Sequence, residues 1–194
     1  MAYKILCGVL AFFVLSRAHA GEIYEIDPAH STIGFGVHHF IGITKGKFAQ
    51  FAGTIDVDRE HPEHSSVEVK IQAKSIDTGI DKRDNHLRSA EFFNVAKYPQ
   101  IAFKSRSVHQ TGAQTGDIAG DLTMHGVTKP ITLHVKLLTP IPVGSTMPRS
   151  RWEVTTEPLK RGDFGLMFSQ TAEALSGIGQ DVTANIVIEA SKNR

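Results

Sequence analysis

The feature that most constrains this chain is a two-residue alternation of apolar and polar side chains that recurs along most of its length. Ile33, Phe35 and Val37 alternate with Gly34 and Gly36. Val67, Val69, Ile71 and Ala73 alternate with Glu68, Lys70 and Gln72, and Ile131, Leu133, Val135 and Leu137 with Thr132, His134 and Lys136. The same period runs through Ile118–Met124, Arg151–Thr155 and Val182–Glu189, and Ile101 and Phe103 lead into a polar Lys104–Ser107 end. Successive side chains of a strand point to opposite faces, so each stretch predicts a strand with one buried face. From Lys45 to Asp58 the phase changes, because Phe48 is even-numbered while Phe51, Ile55 and Val57 are odd. A bulge near Ala49–Gly53 accounts for that shift.

These stretches predict about eight one-faced strands with mostly short connections, which suits a closed antiparallel barrel or a two-sheet sandwich. Helix signals are few. Asp81–Ala90 opens with acidic residues, as helix starts prefer, and a second short helix or turn is expected at Leu159–Leu166. Thr139–Pro148 is too proline-rich for a central strand and predicts a loop.

The first twenty residues have a different character. Lys4 precedes an uncharged apolar run, Ile5–Leu15, and Ala18-His19-Ala20 supplies the small-x-small pattern of a cleaved export signal. A helix of that run would cross only about half of a ~30 Å hydrocarbon core. The expected organisation is a signal peptide at 1–20, cleaved after Ala20, and one domain at 21–194. Export to the periplasm follows as the expected location. The only cysteine, Cys7, would leave with the signal, which excludes a disulfide framework and thiol chemistry. Lys4 and Arg17 are two of the 21 basic residues, and the signal holds none of the 20 acidic ones, so the remainder is one unit negative. That balance leaves no electrostatic footprint for nucleic acid.

Chemistry-bearing patterns are sparse. His38 and His39 are adjacent, so in a strand they face opposite sides. His61 and His64 flank Pro62-Glu63, where a weak surface metal site is conceivable; H-E-x-x-H is missing, and the expectation is no metal and no cofactor. There is no G-x-S-x-G and no phosphate-binding loop, and Asp77, Asp81 and Asp84 fit a polar helix start as well as an acid–base set. The pattern therefore predicts a non-enzyme, with a small hydrolase using a pocket carboxylate and a histidine as the alternative.

Two questions stay open on periodicity alone. Small inward positions (Gly53, Ala73, Gly120, Ala184) beside clustered aromatics (Phe92, Phe93, Phe164, Phe168) suit either a packed core or a partly open lumen. Likewise Arg83–Ser89 is either a solvated helix face or a polar collar beside an apolar mouth.

Four blocks then carry a resemblance. Tyr24-Glu-Ile-Asp27-Pro-Ala-His30-Ser31, Asp81-Lys-Arg-Asp84-Asn-His86-Leu-Arg88-Ser-Ala-Glu91-Phe-Phe93 with Tyr98–Phe103, Gly120–Pro130 and Arg161-Gly-Asp-Phe-Gly165 follow one another in the order seen in the YceI-like family of bacterial lipid-binding proteins. The chain resembles that family over essentially everything after the signal, although the segment after His39 is slightly shorter than the family pattern. The resemblance implies a lipocalin-like extended antiparallel β-barrel with one or two short helices. It also implies an apolar tunnel for a long-chain amphiphile: a polyisoprenoid, an isoprenoid quinone or a fatty amide. On that reading Phe35, Val37, Val69, Ile71, Phe103, Leu122, Leu133, Trp152 and Ile186 form the wall. Phe48, Phe92, Phe93 and Phe164 form the mouth, with His86, Arg88 and His39 beside the head group. The expected partner is the lipid; transient contact with a membrane surface and a homodimer are both compatible with such a role.

Overall fold

The structure is a computed structural model that describes residues 21–39, 42–139, 149–168 and 177–192. The proposed signal segment, the proline-rich 140–148 stretch and Phe40 lie outside the described residues.

The alternating stretches become strands. In chain order they are β1 (Glu22–Ile26), β2 (Thr32–His39), β3 (Gly42–Phe48), β4 (Phe51–Val57), β5 (Ser66–Gln72), β6 (Ile76–Asp77), β7 (Gln100–Gln110), β8 (Thr115–Met124), β9 (Val127–Thr139), β10 (Arg149–Thr156), β11 (Leu159–Lys160) and β12 (Ile178–Lys192). Among the described residues one α-helix, α1 (Asp81–Arg88), follows β6. Eight strands close a ring in the order β1-β4-β5-β7-β8-β9-β10-β12, and β12 returns to β1 through Tyr24↔Lys192 and Ile26↔Ala190. Every pairing is antiparallel, and closure leaves that ring without a free edge.

The long strand β12 sets the depth of the barrel. Its C-terminal end pairs with β1, while its N-terminal half pairs with β2 through Val182↔Val37 to Val187↔Thr32. The chain bends between β1 and β2, where Asp27 accepts a hydrogen bond from the Ala29 amide and Ser31 Oγ holds Glu189 of β12. A matching bend separates β3 from β4: Ala49 and Gln50 leave the ladder, and their amides turn to Ser75. The phase change in Lys45–Asp58 is thus a break between two strands rather than a bulge within one. Leu159–Leu166 forms the short β11 and a single 3-10 turn over Arg161–Phe164, not an α-helix.

The hairpin between β8 and β9 turns at His125 and Gly126, both with positive φ (52° and 77°), the geometry of a two-residue turn that matches strand twist. The ring's seam is held by a polar cluster. Tyr24, 1% exposed, donates its hydroxyl proton to Glu22, while Arg59 and Lys192 reach the same carboxylate. The bonds from Tyr24, then Lys192 and Arg59, pull the Glu22 carboxyl from its ordinary 4.5 down to about 2.

Candidate functional site

The inward faces do not meet in the middle. They enclose a cavity of about 870 Å³, at the upper end of the size usual for a small-molecule site. Its deeper wall is aliphatic and aromatic: Ile33, Val69, Ile71, Ile101, Phe103, Leu122, Ile131, Leu133, Val154, Ile186 and Ile188. The exposed members of the lining are His38, His39, Ile80, Lys82 and His86, so the mouth lies between the β2–β3 hairpin and α1.

A chain of ring contacts belts this end. Phe35 meets Phe48 at 5.7 Å, Phe48 meets Phe93 edge-on at 6.1 Å, Phe93 meets Phe92 at 5.5 Å, and Phe92 meets Phe168 at 5.1 Å. His86 closes the series on Phe168 at 5.7 Å. Such offset and edge-to-face pairs favour their geometry beyond the area they bury. Arg161, only 4% exposed, borders the cavity with its guanidinium carbon 5.6 Å from the Phe168 ring. Its Nε and Nη1 donate to the carbonyls of Gly179 and Leu166, so the buried cation is hydrogen-bonded to backbone.

Helix α1 is pinned to the wall on one side. Asp84, buried, accepts from the amide and hydroxyl of Thr78. Arg88 Nε and Nη2 donate to the carbonyls of Lys74 and Ile76, at 2.8 and 2.6 Å.

Of the residues singled out from sequence, Phe35, Val37, Val69, Ile71, Phe103, Leu122, Leu133 and Ile186 line the cavity wall. Phe48, Phe92, Phe93, His39 and His86 line it nearer the mouth. Three do not reach it. Arg88 is turned away, its fork spent on two carbonyls, and it tethers the helix instead of forming a collar. Trp152 packs against the core beside Ile188 but is not part of the cavity lining, with its indole N–H on Ser150 Oγ. Phe164, 2% exposed, is sealed inside the 3-10 turn; Leu166 and Phe168 take the place at the cavity expected for it.

Lys82, Thr78, Leu159 and Ile178 also border the cavity and were not singled out, and Arg83 and Leu87, weighed only within the Arg83–Ser89 stretch, border it too. A signal for three of them was present: at 3.6 residues per turn, positions 82, 83, 86 and 87 share one helix face. Away from the cavity, Asp27, His30 and Glu189 bring one ligand atom each within 4.8 Å of one another. Glu189 Oε1 there already accepts from Arg149 at 3.0 Å, and His30 Nδ1 is paired with Asp27 at 2.7 Å, so the set is satisfied internally.

A closed antiparallel barrel around a deep apolar cavity with a polar rim defines the class: a lipocalin-like barrel. The chain belongs to the YceI-like family, whose model matches residues 24–190. Protein YceI of Salmonella arizonae is 45% identical over 130 residues, which cover 65% of this chain and 66% of that protein. The alignment thus spans just under two thirds of that relative's length. The structure of a YceI protein from Campylobacter jejuni is 29% identical, with a TM-score of 0.70 over 81% of this chain and 90% of that one. Burkholderia cenocepacia BcnA shares the fold at 20% identity, with a TM-score of 0.76 over 84% and 98% of the two chains. A polyisoprenoid-binding domain from Saccharophagus degradans shares it at 19% identity, with a TM-score of 0.65 over 88% and 98%.

Proposed function

We propose that the chain is an exported, periplasmic binding protein that holds a long-chain amphiphile in its barrel. It would act in transport, storage or sequestration rather than catalysis. The observation that carries this reading is the cavity itself: about 870 Å³, walled by aliphatic and aromatic side chains, with polar groups gathered at one end. Each CH₂ withdrawn from water into such a wall contributes about 0.8 kcal/mol, so a long chain binds tightly after ordering costs are met. The structural neighbour from Saccharophagus degradans, a polyisoprenoid-binding domain, supports the same reading. Candidate ligands are a polyisoprenoid, an isoprenoid quinone or a fatty amide. Export rests on the Lys4, Ile5–Leu15 and Ala18-His19-Ala20 pattern. Binding is favoured over hydrolysis because, among the described residues, the cavity lining holds no aspartate or glutamate, and the carboxylate that meets the lining His86, Glu91 at 3.0 Å, is an exposed pair at the rim.

The test is organic extraction of purified protein followed by mass spectrometry. A long apolar molecule in near-stoichiometric amount is expected. Repeated preparations that yield none, together with no uptake of added quinone or polyprenol, refute the proposal.

A further inference from the structure

The described lining of the cavity contains Lys82, Arg83, Arg161 and three histidines, His38, His39 and His86, and no aspartate or glutamate. Helix α1 shows how this one-sided charge arises. At 3.6 residues per turn, Lys82, Arg83, His86 and Leu87 occupy one arc of roughly 140°, while Asp81, Asp84, Asn85 and Arg88 occupy the opposite one. All four residues of the first arc border the cavity. The second arc serves the wall, with Asp84 on Thr78 and Arg88 on the carbonyls of Lys74 and Ile76. Lys82 and Arg83 lie in the first helical turn, where cations run against the helix dipole, so helix stability does not explain them there.

The acids near the mouth lie outside the lining: Asp77 pairs with Lys47, Asp181 with Lys160, Glu91 at the rim meets the lining His86 at 3.0 Å, and Asp81 sits on the opposite arc of the helix from Lys82. Among the described residues the side chains of Lys82 and His38 engage in no hydrogen bond or ion pair. Arg83 spends Nε and Nη2 on Thr78, which fixes its guanidinium at the cavity edge.

We infer that the mouth selects amphiphiles with an anionic head, a carboxylate or a phosphate monoester, over neutral heads of the same chain length. This rests on the lipid-binding reading and adds the head-group class to it. The apolar wall takes the tail, and the cavity face of α1 supplies the charge: the Lys82 ammonium as a mobile cation, the Arg83 guanidinium as a fixed one. Charge-assisted hydrogen bonds of that kind are about twice as strong as neutral ones.

The experiment measures dissociation constants of delipidated protein for palmitic acid, palmityl phosphate, cetyl alcohol and palmitamide by displacement of a fluorescent fatty probe. The acid or the phosphate should bind at least about tenfold tighter than the alcohol and the amide. That ratio should shrink between about 0.01 M and 1 M salt, as the screening length falls from roughly 30 Å to 3 Å. Lys82→Gln should reduce the ratio, Lys82→Glu should abolish it, and Lys82→Arg should keep it, all three melting with the parent when ligand-free. Equal affinities for charged and neutral heads, or a ratio indifferent to salt and to Lys82→Glu, overturn the inference and leave the carrier reading standing. Failure of all four compounds to bind overturns both. Whether carboxylate or phosphate binds tighter identifies the head between the two.

Discussion

Two glycines on the inner face give a sharp test of where this barrel is filled and where it is hollow. In β3, Gly46 lies opposite Phe35, whose ring rests on it: a Cβ there would meet Phe35 Cε1 at 2.9 Å and Cε2 at 3.0 Å. In β8, Gly120 carries Phe103 in the same way, but its Cβ would also stand 2.5 Å from the Lys104 carbonyl oxygen. A ring bordering a cavity can swing into it; a strand carbonyl cannot move without breaking the ladder. Gly120→Ala should therefore cost the usual overpacking penalty of about 1–3 kcal/mol. At about 2–4 °C per kcal/mol, that lowers Tm by roughly 2–12 °C. For Gly46→Ala, displacing the half-buried Phe35 ring costs about 0.5–1.5 kcal/mol, and the stiffer unfolded chain returns about 0.4–1 kcal/mol. Its ligand-free Tm should stay within a few degrees of the parent, while uptake of a fluorescent fatty probe falls because the ring now occupies the lumen. Both proteins must be compared delipidated, since a bound ligand raises apparent stability. If Gly46→Ala melts as low as Gly120→Ala and still takes up the probe normally, the space beside Phe35 is packed core and the reasoning fails.

Leu133→Trp probes the opposite wall, where Leu133 of β9 pairs with Ile118 and borders the cavity; ligand-free melting should change little and lipid capacity should drop, whereas strong destabilisation with normal binding would place it in packed core. Arg88→Ala should lower stability by about 1–3 kcal/mol through two freed carbonyls, read by denaturant titration, and should leave the head-group preference of the binding site unchanged. Because folding depresses the Glu22 carboxyl from 4.5 to about 2, the stability it adds is complete above pH 4.5 and is lost as the pH falls towards 2. Glu22→Gln should therefore flatten the acid side of the stability profile across that window, measured by melts at stepped pH; an unchanged slope would discount the seam cluster. Exhaustive chelation should leave lipid affinity as it was, and a tenfold loss restored by one ion would show that the histidines or the Asp27, His30 and Glu189 set bind metal after all.

Parity was the legible part of this sequence. Alternation assigns each strand residue to a face, and for Phe35, Val69, Leu122 and Leu133 that face borders the cavity. Parity does not say what a small inward residue is for. Gly120 and Gly53 leave no open lumen: the first is covered by the Phe103 ring, the second by Ile26 and Val69. Strand β1 was illegible as a strand because Ile23, 53% exposed, puts an apolar residue on the outer face and blurs the alternation around Tyr24 and Ile26. A helix assigns faces by rotation instead of parity. His86 and Arg88 stand two positions apart, which on a helix is roughly 200° of rotation, so they cannot share one collar. Trp152 failed for want of depth: parity places a side chain inward without saying how far along the barrel the hollow extends. Phe164 lies in the 3-10 turn, where parity assigns no face.

The geometry of β12 explains why that hollow exists. Fifteen residues of strand extend for about 50 Å, more than β1 or β2 could match alone. The chain meets this length with two strands in tandem, β1 then β2, and repeats the device with β4 and β3, bending at Asp27–Ser31 and at Ala49–Gln50. The deep end, where β1 closes on β12, is filled by Tyr24, Ile188, Ala190 and the Ser150–Trp152 pair. Towards the other end the wall thins, since β3 pairs with β6 only through Lys47 and Phe48. Beyond that point Gly42–Gly46 has no strand on its outer side among the described residues, and α1 covers the neighbouring stretch as a helix. A helix presents side chains around its whole circumference, where a strand presents only two faces. This one element can therefore bind the wall with Asp84 and Arg88 while turning Lys82, Arg83 and His86 to the cavity. The opening and its charge thus share one physical cause: the place where the ladder runs out is the place where a helix stands in for a strand.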